Sequence, residues 1–592
     1  MNSALILLLL LSVSGLPLLL AMALMLGSLR RVILLLAPWA ALPALVGSVL
    51  LTPGITIELP WLLFGTRLGL DETARVFLFF TSLLWLVAGI YSAGYFSKHS
   101  SRARFFIWFL LAMAGNLGLI LAQDMVIFYT FFTLMSFASY GLVVHDHTLD
   151  AWRAGRIYIV MVVVGEVLLF AAFVLAARAS NSIEFEVVRL AMVDAELRDW
   201  IIGLTLLGFG IKAGVIGLHV WLPLAHPVAP TPASAVLSGA MIAAGLLGWL
   251  RILPLGETVL SAWGGAMIVA GMVATFYAVF VGLSQNNAKT VLAYSSVSTM
   301  GIMTIAVGLG FVAPDNWPFI LSAILIYALQ HSLAKGALFL GVGMAVTPSA
   351  SIVQRYLLIM GLLLPALSLA GAPLTSGMIA KHLLNIQLAS VTSPWGDWVQ
   401  ILMPWSAVAT SMLMVRFLIL VCPQYKVKSG AVSKSRMMWL SWLILIVAVV
   451  SSPWLIPFAD RTTGSTINMW SMEVMISAIW PVALGGSLAI VAWLVSKYRR
   501  SHYWIRIPPG DILIIVEKWL WPLLLSVLLY SYTALGRGYS SVLTHMNWWH
   551  DYSAWMSVLD VCESRFARWS IGALLFLILA MIFVFLARLN IL

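Results

Sequence analysis

The chain is 592 residues long, 62% hydrophobic and only 9% charged, with a mean hydropathy of +1.02. A water-soluble enzyme or binding module of that composition would aggregate, so a bilayer must be its solvent. The formal charge of +11 does not point to nucleic acid, because Lys and Arg cluster in short segments between apolar runs, the pattern of cytoplasmic loops. Cys422 and Cys562 are the only cysteines. An iron–sulfur cluster or zinc ribbon needs about four ligands in close groups, so no cofactor or redox centre is expected in this chain.

Apolar runs near 4–26, 32–52, 76–97, 104–122, 125–145, 156–178, 201–222, 232–252, 259–283, 290–313, 317–346, 351–388, 397–421, 437–457, 474–496, 513–535 and 568–590 predict an all-α polytopic membrane protein of about 17 transmembrane helices. The first run lacks a basic n-region and is followed at once by Arg30 and Arg31, so it reads as a retained span and not a cleaved signal. Arg30, Arg31, Lys98, Arg102, Arg104, Lys289, Arg355, Lys426, Lys428, Lys434, Arg436, Lys497, Arg499 and Arg500 then fall on one side, with Glu58, Asp71, Glu72 and the acidic linker Glu184 to Asp199 on the other. That division predicts a protein of the cell inner (plasma) membrane with its N-terminus outside and its C-terminus in the cytoplasm.

Three lysines, Lys212, Lys335 and Lys381, sit inside long apolar runs. A charge at the bilayer centre costs a few kcal/mol or more, so such residues face a bundle interior or a wet cavity and mark ion paths. Helix breakers surround two of them. Gly208, Gly210, Gly214 and Gly217 flank Lys212, and Gly371-Ala372-Pro373 with Ser376-Gly377 precede Lys381. Broken helices at membrane depth line cavities, and a matched pair points to an inverted repeat with its site between the halves. Spans 4–8 and 9–13 are expected to form that pair, with helices 7 and 12 broken.

Trp221 to Arg251, WLPLAHPVAPTPASAVLSGAMIAAGLLGWLR, resembles the signature of the antiporter-like membrane subunits of complex I (NADH:quinone oxidoreductase), shared with Mrp cation/proton antiporters and membrane-bound hydrogenases. QNNAKTVLAYSSVSTMG (Gln285 to Gly301), HSLAKGALFLGVG (His331 to Gly343) and LAGAPLTSGMIAKHLL (Leu369 to Leu384) agree and follow in the family's order. The resemblance implies 14 core helices with two inverted five-helix repeats, each holding a half-channel, joined by an axis of buried lysines, glutamates and histidines. By position Lys212 matches the broken-helix lysine, His219 the histidine of the following turn, Lys335 the central lysine and Lys381 the terminal residue. Burial disfavours a charged ammonium and a nearby carboxylate restores it, so Lys212 to Lys335 to Lys381, wetted through His219 and His331, is the expected proton relay.

Departures from the family pattern thin that relay. Where members carry a glutamate in a segment like FYVFWELMSLASY, this chain reads FYTFFTLMSFASY, with Thr133 at the acid position. In SGAMIAAG, Ala243 replaces a lysine and Ser238 a histidine; Asn287 replaces an aspartate in a QTDIK-like turn. Glu166, in VVVGEVLLF, is the candidate compensating partner of Lys212.

Simpler readings are weighed beside these. Lys381 could snorkel to an interface, His219 and His331 could be satisfied core residues, His226 and His147 stand in loop text, and Arg416 reads as an interfacial anchor. GFGIKAG around Lys212 lacks the spacing and the strand of a nucleotide fingerprint.

The expected organisation is 1–75, N-terminal spans; 76–421, the antiporter-like core; 422–512, further spans and a basic cytoplasmic segment; and 513–592, two C-terminal spans around an outer aromatic loop, with Asp511 after Pro508-Pro509-Gly510 as a helix cap. The expected function is proton translocation, with exchange for another cation left open, by one membrane subunit of a multisubunit complex. Its partners would be other membrane subunits and a soluble redox partner. The alternatives are the membrane subunit of a proton-coupled inorganic-carbon uptake system, with a zinc-bearing soluble partner, and a non-conducting scaffold subunit.

Overall fold

The computed structural model describes residues 3–26, 29–60, 65–97, 99–346, 352–389, 394–422, 435–455, 471–498 and 507–515. Contacts divide the chain into two units, Met1–Gly510 and Asp511–Leu592. Of the second only the helix Asp511–Ile515 is described; Asp511 opens that helix, its carboxylate accepting from the Ile512 amide at 2.7 Å. The expected spans at 513–535 and 568–590 and the aromatic loop otherwise lie outside the described residues.

Among the described residues, 14 segments are long and apolar enough to cross a membrane, and they coincide with 14 of the 17 runs read from the sequence. α1 (Ser3–Leu26) is followed by α2 (Arg30–Leu36) and α3 (Leu42–Leu50), which a 3₁₀ turn at Ala37–Trp39 joins into one span. Pro38 in that turn has no amide to donate, which ends the α-ladder locally.

After α3 comes a hairpin that the apolar pattern did not reveal, β1 (Ile55–Leu59) against β2 (Thr66–Leu70), antiparallel with Leu59 opposite Thr66. The core helices are α4 (Glu72–Tyr95), α5 (Arg102–Leu121), α6 (Met125–Val143), α7 (Leu149–Ser180), α8 (Phe185–Ala191), α9 (Arg198–Ala213), α10 (Trp221–Val228), α11 (Thr231–Val236), α12 (Ile242–Ile252), α13 (Ser261–Leu283), α14 (Ala288–Val312), α15 (Trp317–Val346), α16 (Ile352–Ala370), α17 (Ser376–Ala389) and α18 (Pro394–Val421). α19 (Arg436–Ser451) and α20 (Met472–Tyr498) follow. The seventh run is not one helix but the pair α9 and α10, and the twelfth is α16 and α17. In the eighth, a π-helical stretch at Leu237–Met241 joins α11 to α12.

Two polar faces bracket the bundle. On one, Arg67 reaches Glu58 at 2.8 Å and Glu184 at 2.6 Å, its amide donates to Asp124 Oδ2 at 2.9 Å, and Asp71 pairs with Arg251 at the end of α12. On the other, Arg102 donates to Leu34 O, Arg104 to His145 O and Arg416 to Gln285 O. α5 therefore starts at the basic face and α13 at the acidic one, and the broken helices α9/α10 and α16/α17 likewise run in opposite senses. The core is two inverted five-helix repeats.

Inside, large side chains are fully buried, and two of the tryptophans are matched: Trp85 Nε1 donates to Asn116 Oδ1 at 2.8 Å and Trp442 Nε1 to Ala337 O at 2.9 Å. α13 and α14 approach most closely where glycines face backbone. A Cβ at Gly271 would lie 2.5 Å from Gly301 O, so no larger residue fits. In a bilayer, where lipid is as apolar as leucine, such close backbone approach is what holds helices together.

Asp71 caps α4 through the Ala74 amide at 2.7 Å, accepts from Gln123 Nε2 at 3.3 Å and pairs with Arg251. Burial alone would push its carboxyl up; Arg251, the Ala74 amide and Gln123 outweigh that and hold it below the usual carboxylate range. A lowered acid stabilises the fold above its unfolded pKa and loses that contribution as pH falls through the folded value. Asp71→Asn is therefore expected to lower the thermal midpoint at pH 7, with the gap to wild type closing below about pH 4; melting curves of the purified protein from pH 7 to 3 check this, and a gap that stays constant refutes the assignment.

Candidate proton-relay site

Two of the three candidate lysines lie beside a break in the backbone. α9 ends at Ala213 because Gly214 takes a left-handed conformation, φ +74, and a Cβ there would meet Leu222 Cδ1 at 2.3 Å. The carbonyls freed by this stop are satisfied nearby: Val215 N donates to Gly210 O at 3.0 Å and Trp221 Nε1 to Ile211 O at 2.7 Å. Lys212 thus sits in the last turn of a half-helix, where the negative end of the helix dipole favours a cation. Its amine donates to Tyr158 Oη at 3.1 Å and lies 5.5 Å and 5.9 Å from the rings of Tyr158 and Trp221. Tyr158 Oη in turn donates to Ser136 O at 2.9 Å.

Glu166 lies on α7, which crosses α9 where Gly165 and Gly208 meet backbone to backbone. Its Oε2 accepts from Thr133 Oγ1 at 2.7 Å, and only 6% of the residue is exposed. Thr133, the position without the family's acid, therefore serves as the donor to an acid one helix away. Glu166 and Lys212 are close enough for their charges to interact, yet each has its own neutral partner, and no ion pair within 4 Å joins them. The expected pairing is thus a pair of adjacent hydrogen-bonded groups.

His219, in the break, is fully buried with its ring 6.0 Å from Tyr277 and 6.2 Å from Tyr294, on α13 and α14. It faces the second repeat. Lys335, 0% exposed in the middle of α15, donates to Leu292 O on α14 at 2.8 Å. His331, one turn earlier, is buried and neither ring nitrogen has a hydrogen-bond partner. At the second break Gly371 takes φ +85 and Leu374 φ +64, the latter a conformation a bulky residue rarely adopts. Lys381 does not snorkel: its amine turns back into the break and donates to Ala370 O, the last carbonyl of α16, at 3.0 Å. Lys212 thus precedes its break, at the end of α9, and Lys381 follows its break, on α17, with its amine reaching back to the end of α16.

Of the replaced positions, Ala243 lies buried in α12 without a polar atom to offer. Asn287 caps α14, its side chain accepting from Lys289 N at 2.9 Å and Thr290 N at 3.3 Å; an amide oxygen caps about as well as a carboxylate, so the helix start is preserved. Arg416 is held on Gln285 O and Asn286 Oδ1 at 2.8 and 2.9 Å. His147 is a turn residue with φ +53. His226 corrects the loop reading: it lies on α10, fully buried, stacked 4.7 Å from Phe339, with neither ring nitrogen hydrogen-bonded. Pro223 and Pro227 within that helix, with Pro230 and Pro232 just after it, hid it, though Pro223 in a first turn is a helix-start signal. Tyr158 was also missed, because a tyrosine in an apolar run carries no distinguishing pattern.

Residues 122–408 match the protein family described as NADH:quinone oxidoreductase/Mrp antiporter, TM. That segment belongs to this antiporter-like family. The chain is 32% identical over 286 residues to hydrogenase-4 component B of Escherichia coli (strain K12), covering 47% of this chain and 43% of that protein. It is 30% identical over 373 residues to the putative antiporter subunit mnhA2 of Staphylococcus saprophyticus, covering 57% and 45%. The chain spans about half the length of the curated relatives it matches. In fold it superposes on the Mrp complex from Dietzia sp. DQ12-45-1b with a TM-score of 0.74 at 20% identity, covering 94% of this chain and 63% of that one. It also superposes on an archaeal membrane-bound sulfane sulfur reductase with a TM-score of 0.63 at 18% identity, covering 81% and 98%.

The antiporter-like core makes the Thr133–Glu166 bond testable apart from transport. Thr133→Val leaves a buried acid without its donor, a loss of about 1–3 kcal/mol, whereas Thr133→Ser keeps the hydroxyl. Thermal melting in detergent is expected to separate the two; equal midpoints would show that the bond contributes nothing.

Proposed function

We propose that this chain is the proton-translocating membrane subunit of a multisubunit complex, with Lys212, Lys335 and Lys381 as its proton-binding stations, Glu166 setting the charge of the first, and His219 and His331 wetting the line between them. The observation that carries this reading is that all three amines are held on oxygens inside the core: one on a tyrosine hydroxyl and two on backbone carbonyls. An amine so placed loses most of its hydration. Loss of water works against the charge and the oxygen acceptor works for it, and a group that both takes up and releases a proton needs both influences.

The working core in this proposal is 76–421, flanked by N-terminal spans (1–75), by 422–512 and by the C-terminal 513–592. The basic face is assigned to the cytoplasm, giving an N-terminus outside and a C-terminus inside in the plasma membrane. Partners are other membrane subunits and a soluble redox subunit. The relatives' names support this, since one is a hydrogenase component and the other an antiporter subunit. Ala243 favours a second reading, a scaffold that does not conduct.

In inverted membrane vesicles carrying the assembled complex, Lys335→Ala is expected to abolish proton uptake and Lys212→Ala and Lys381→Ala to lower it by about tenfold or more, with assembly intact on native gels. Wild-type uptake in all three variants would establish the scaffold reading. Glu166→Gln keeps the Thr133 bond but removes the charge, and is expected to uncouple uptake; wild-type flux in that variant would remove Glu166 from the relay. Purification from native membranes identifies the partners, and a co-eluting zinc protein would point instead to inorganic-carbon uptake.

A further inference from the structure

Between Lys335 and the first repeat lies a polar cluster that neither lysine accounts for. Ser238, within the π-helical stretch Leu237–Met241, stands 2.8 Å from Ser296 Oγ on α14, and both are fully buried. Ser296 Oγ is also 3.1 Å from Leu292 O, the same carbonyl that holds Lys335 Nζ at 2.8 Å. That shared acceptor puts the amine and the hydroxyl within about 6 Å of each other, the reach of one bridging water. His331 approaches the Ser238 backbone without making a hydrogen bond of normal geometry. α11–α12 and α15 are close here because Gly239 admits Ser332 O, which a Cβ would meet at 2.8 Å.

Ser238 is bonded differently from most buried hydroxyls of the core, Ser296 included. Ser139 and Thr304 each donate to the carbonyl four residues back, at 2.6 and 2.8 Å, the ordinary way a buried hydroxyl is satisfied in a helix. Ser238 bonds to Ser296, and either oxygen can be the donor. Two arrangements follow. In one, Ser238 donates to Ser296 and Ser296 to Leu292 O; in the other, Ser296 donates to Ser238 and Lys335 is the one side chain left on that carbonyl. A hydroxyl carries one donor and two acceptor sites, so a pair that can reverse is able to pass a proton.

We propose that Ser238 and Ser296 form the proton-transfer link between Lys335 and the first repeat, on the stretch where Ala243 supplies no charge. The Lys335 ammonium gives its proton through one water to Ser296 Oγ, the proton of Ser296 moves to Ser238 Oγ, and the proton of Ser238 leaves toward His331 and the first repeat. Rotation of both hydroxyls resets the pair, with no charge left on either serine. This inference rests on the relay reading above and names its intermediate stations.

The test uses the full chain in its native complex, with proton uptake by inverted vesicles as the readout. Ser238→Ala and Ser296→Ala are each expected to lower uptake by about tenfold or more, the double variant to be no worse than the poorer single, and Ser296→Thr to restore uptake because it returns the hydroxyl. Should the alanine variants fail to assemble, Ser296→Thr and Ser238→Thr against Ser296→Val and Ser238→Val, matched in shape, make the comparison. Wild-type uptake in the serine variants alongside abolished uptake in Lys335→Ala overturns the serine link and leaves the relay standing. Wild-type uptake in Lys335→Ala removes the relay and the link with it.

Discussion

The arrangement depends on one constraint: an ammonium group in the middle of a bilayer must be given oxygens by the protein, because the hydrocarbon there has none. This chain meets it in part by stopping helices inside the membrane, since a helix that ends at depth exposes carbonyls and the negative end of its dipole. Lys212 stands in the last turn of the stopped helix α9 and takes its oxygen from Tyr158, and the Lys381 amine reaches back to the last carbonyl of the stopped helix α16. The third lysine has no such end, being in the middle of an unbroken helix, and takes a carbonyl from its neighbour α14 instead. Gly214 and Gly371, both in left-handed conformations, are what allow the stops, so the chemistry of the amines is set by backbone geometry several residues away.

The lost charges have been absorbed in different ways. Thr133 in the acid position would leave a vacancy if the site were read one residue at a time. In the folded core the acid has moved one helix over, to Glu166, and the threonine is its donor. Asn287 keeps the capping role of the aspartate and gives up only its charge, at a helix start exposed to water where that charge is worth little. Ala243 is different in kind, since nothing at its own position replaces the amine. What polar character that region retains comes from the neighbouring serine pair, which is neutral.

Much of this was legible in the sequence because its signals were strong and local. Runs of about 20 apolar residues are spans for a reason that tolerates few exceptions, and glycines grouped around a lysine mark a break. Lys212, Lys335 and Lys381 followed from the cost of charge in hydrocarbon. What escaped notice depended on contacts between distant segments. The hairpin Ile55–Leu70 is short and lies at a face, pinned by Gln123, Asp124 and Glu184, none of which is near it in sequence. The π-helical stretch in the eighth span has no compositional mark, and His226 was masked by prolines that elsewhere mean a loop. The direction of the Glu166 and Lys212 hydrogen bonds could not be read at all, since it depends on how three helices cross.

The two broken-helix lysines differ in a way that bears on direction. Lys212 donates to a tyrosine hydroxyl, which is itself a donor and an acceptor and sits beside a carboxylate. Lys381 donates to a backbone carbonyl, which can hold a proton donor but cannot take the proton. A proton leaving Lys212 therefore has a titratable group within its own shell, whereas one leaving Lys381 must find water or a side chain beyond the carbonyl. The inverted repeats are alike in fold and unlike in chemistry: in the proposed relay the first end would exchange charge with a neighbouring acid, and the second would hold an amine until the break is hydrated. Coupling to a driving reaction would thus act most directly at the Glu166 end, where displacing one carboxylate by a few ångströms changes the electrostatic energy of Lys212 with no rearrangement of the backbone.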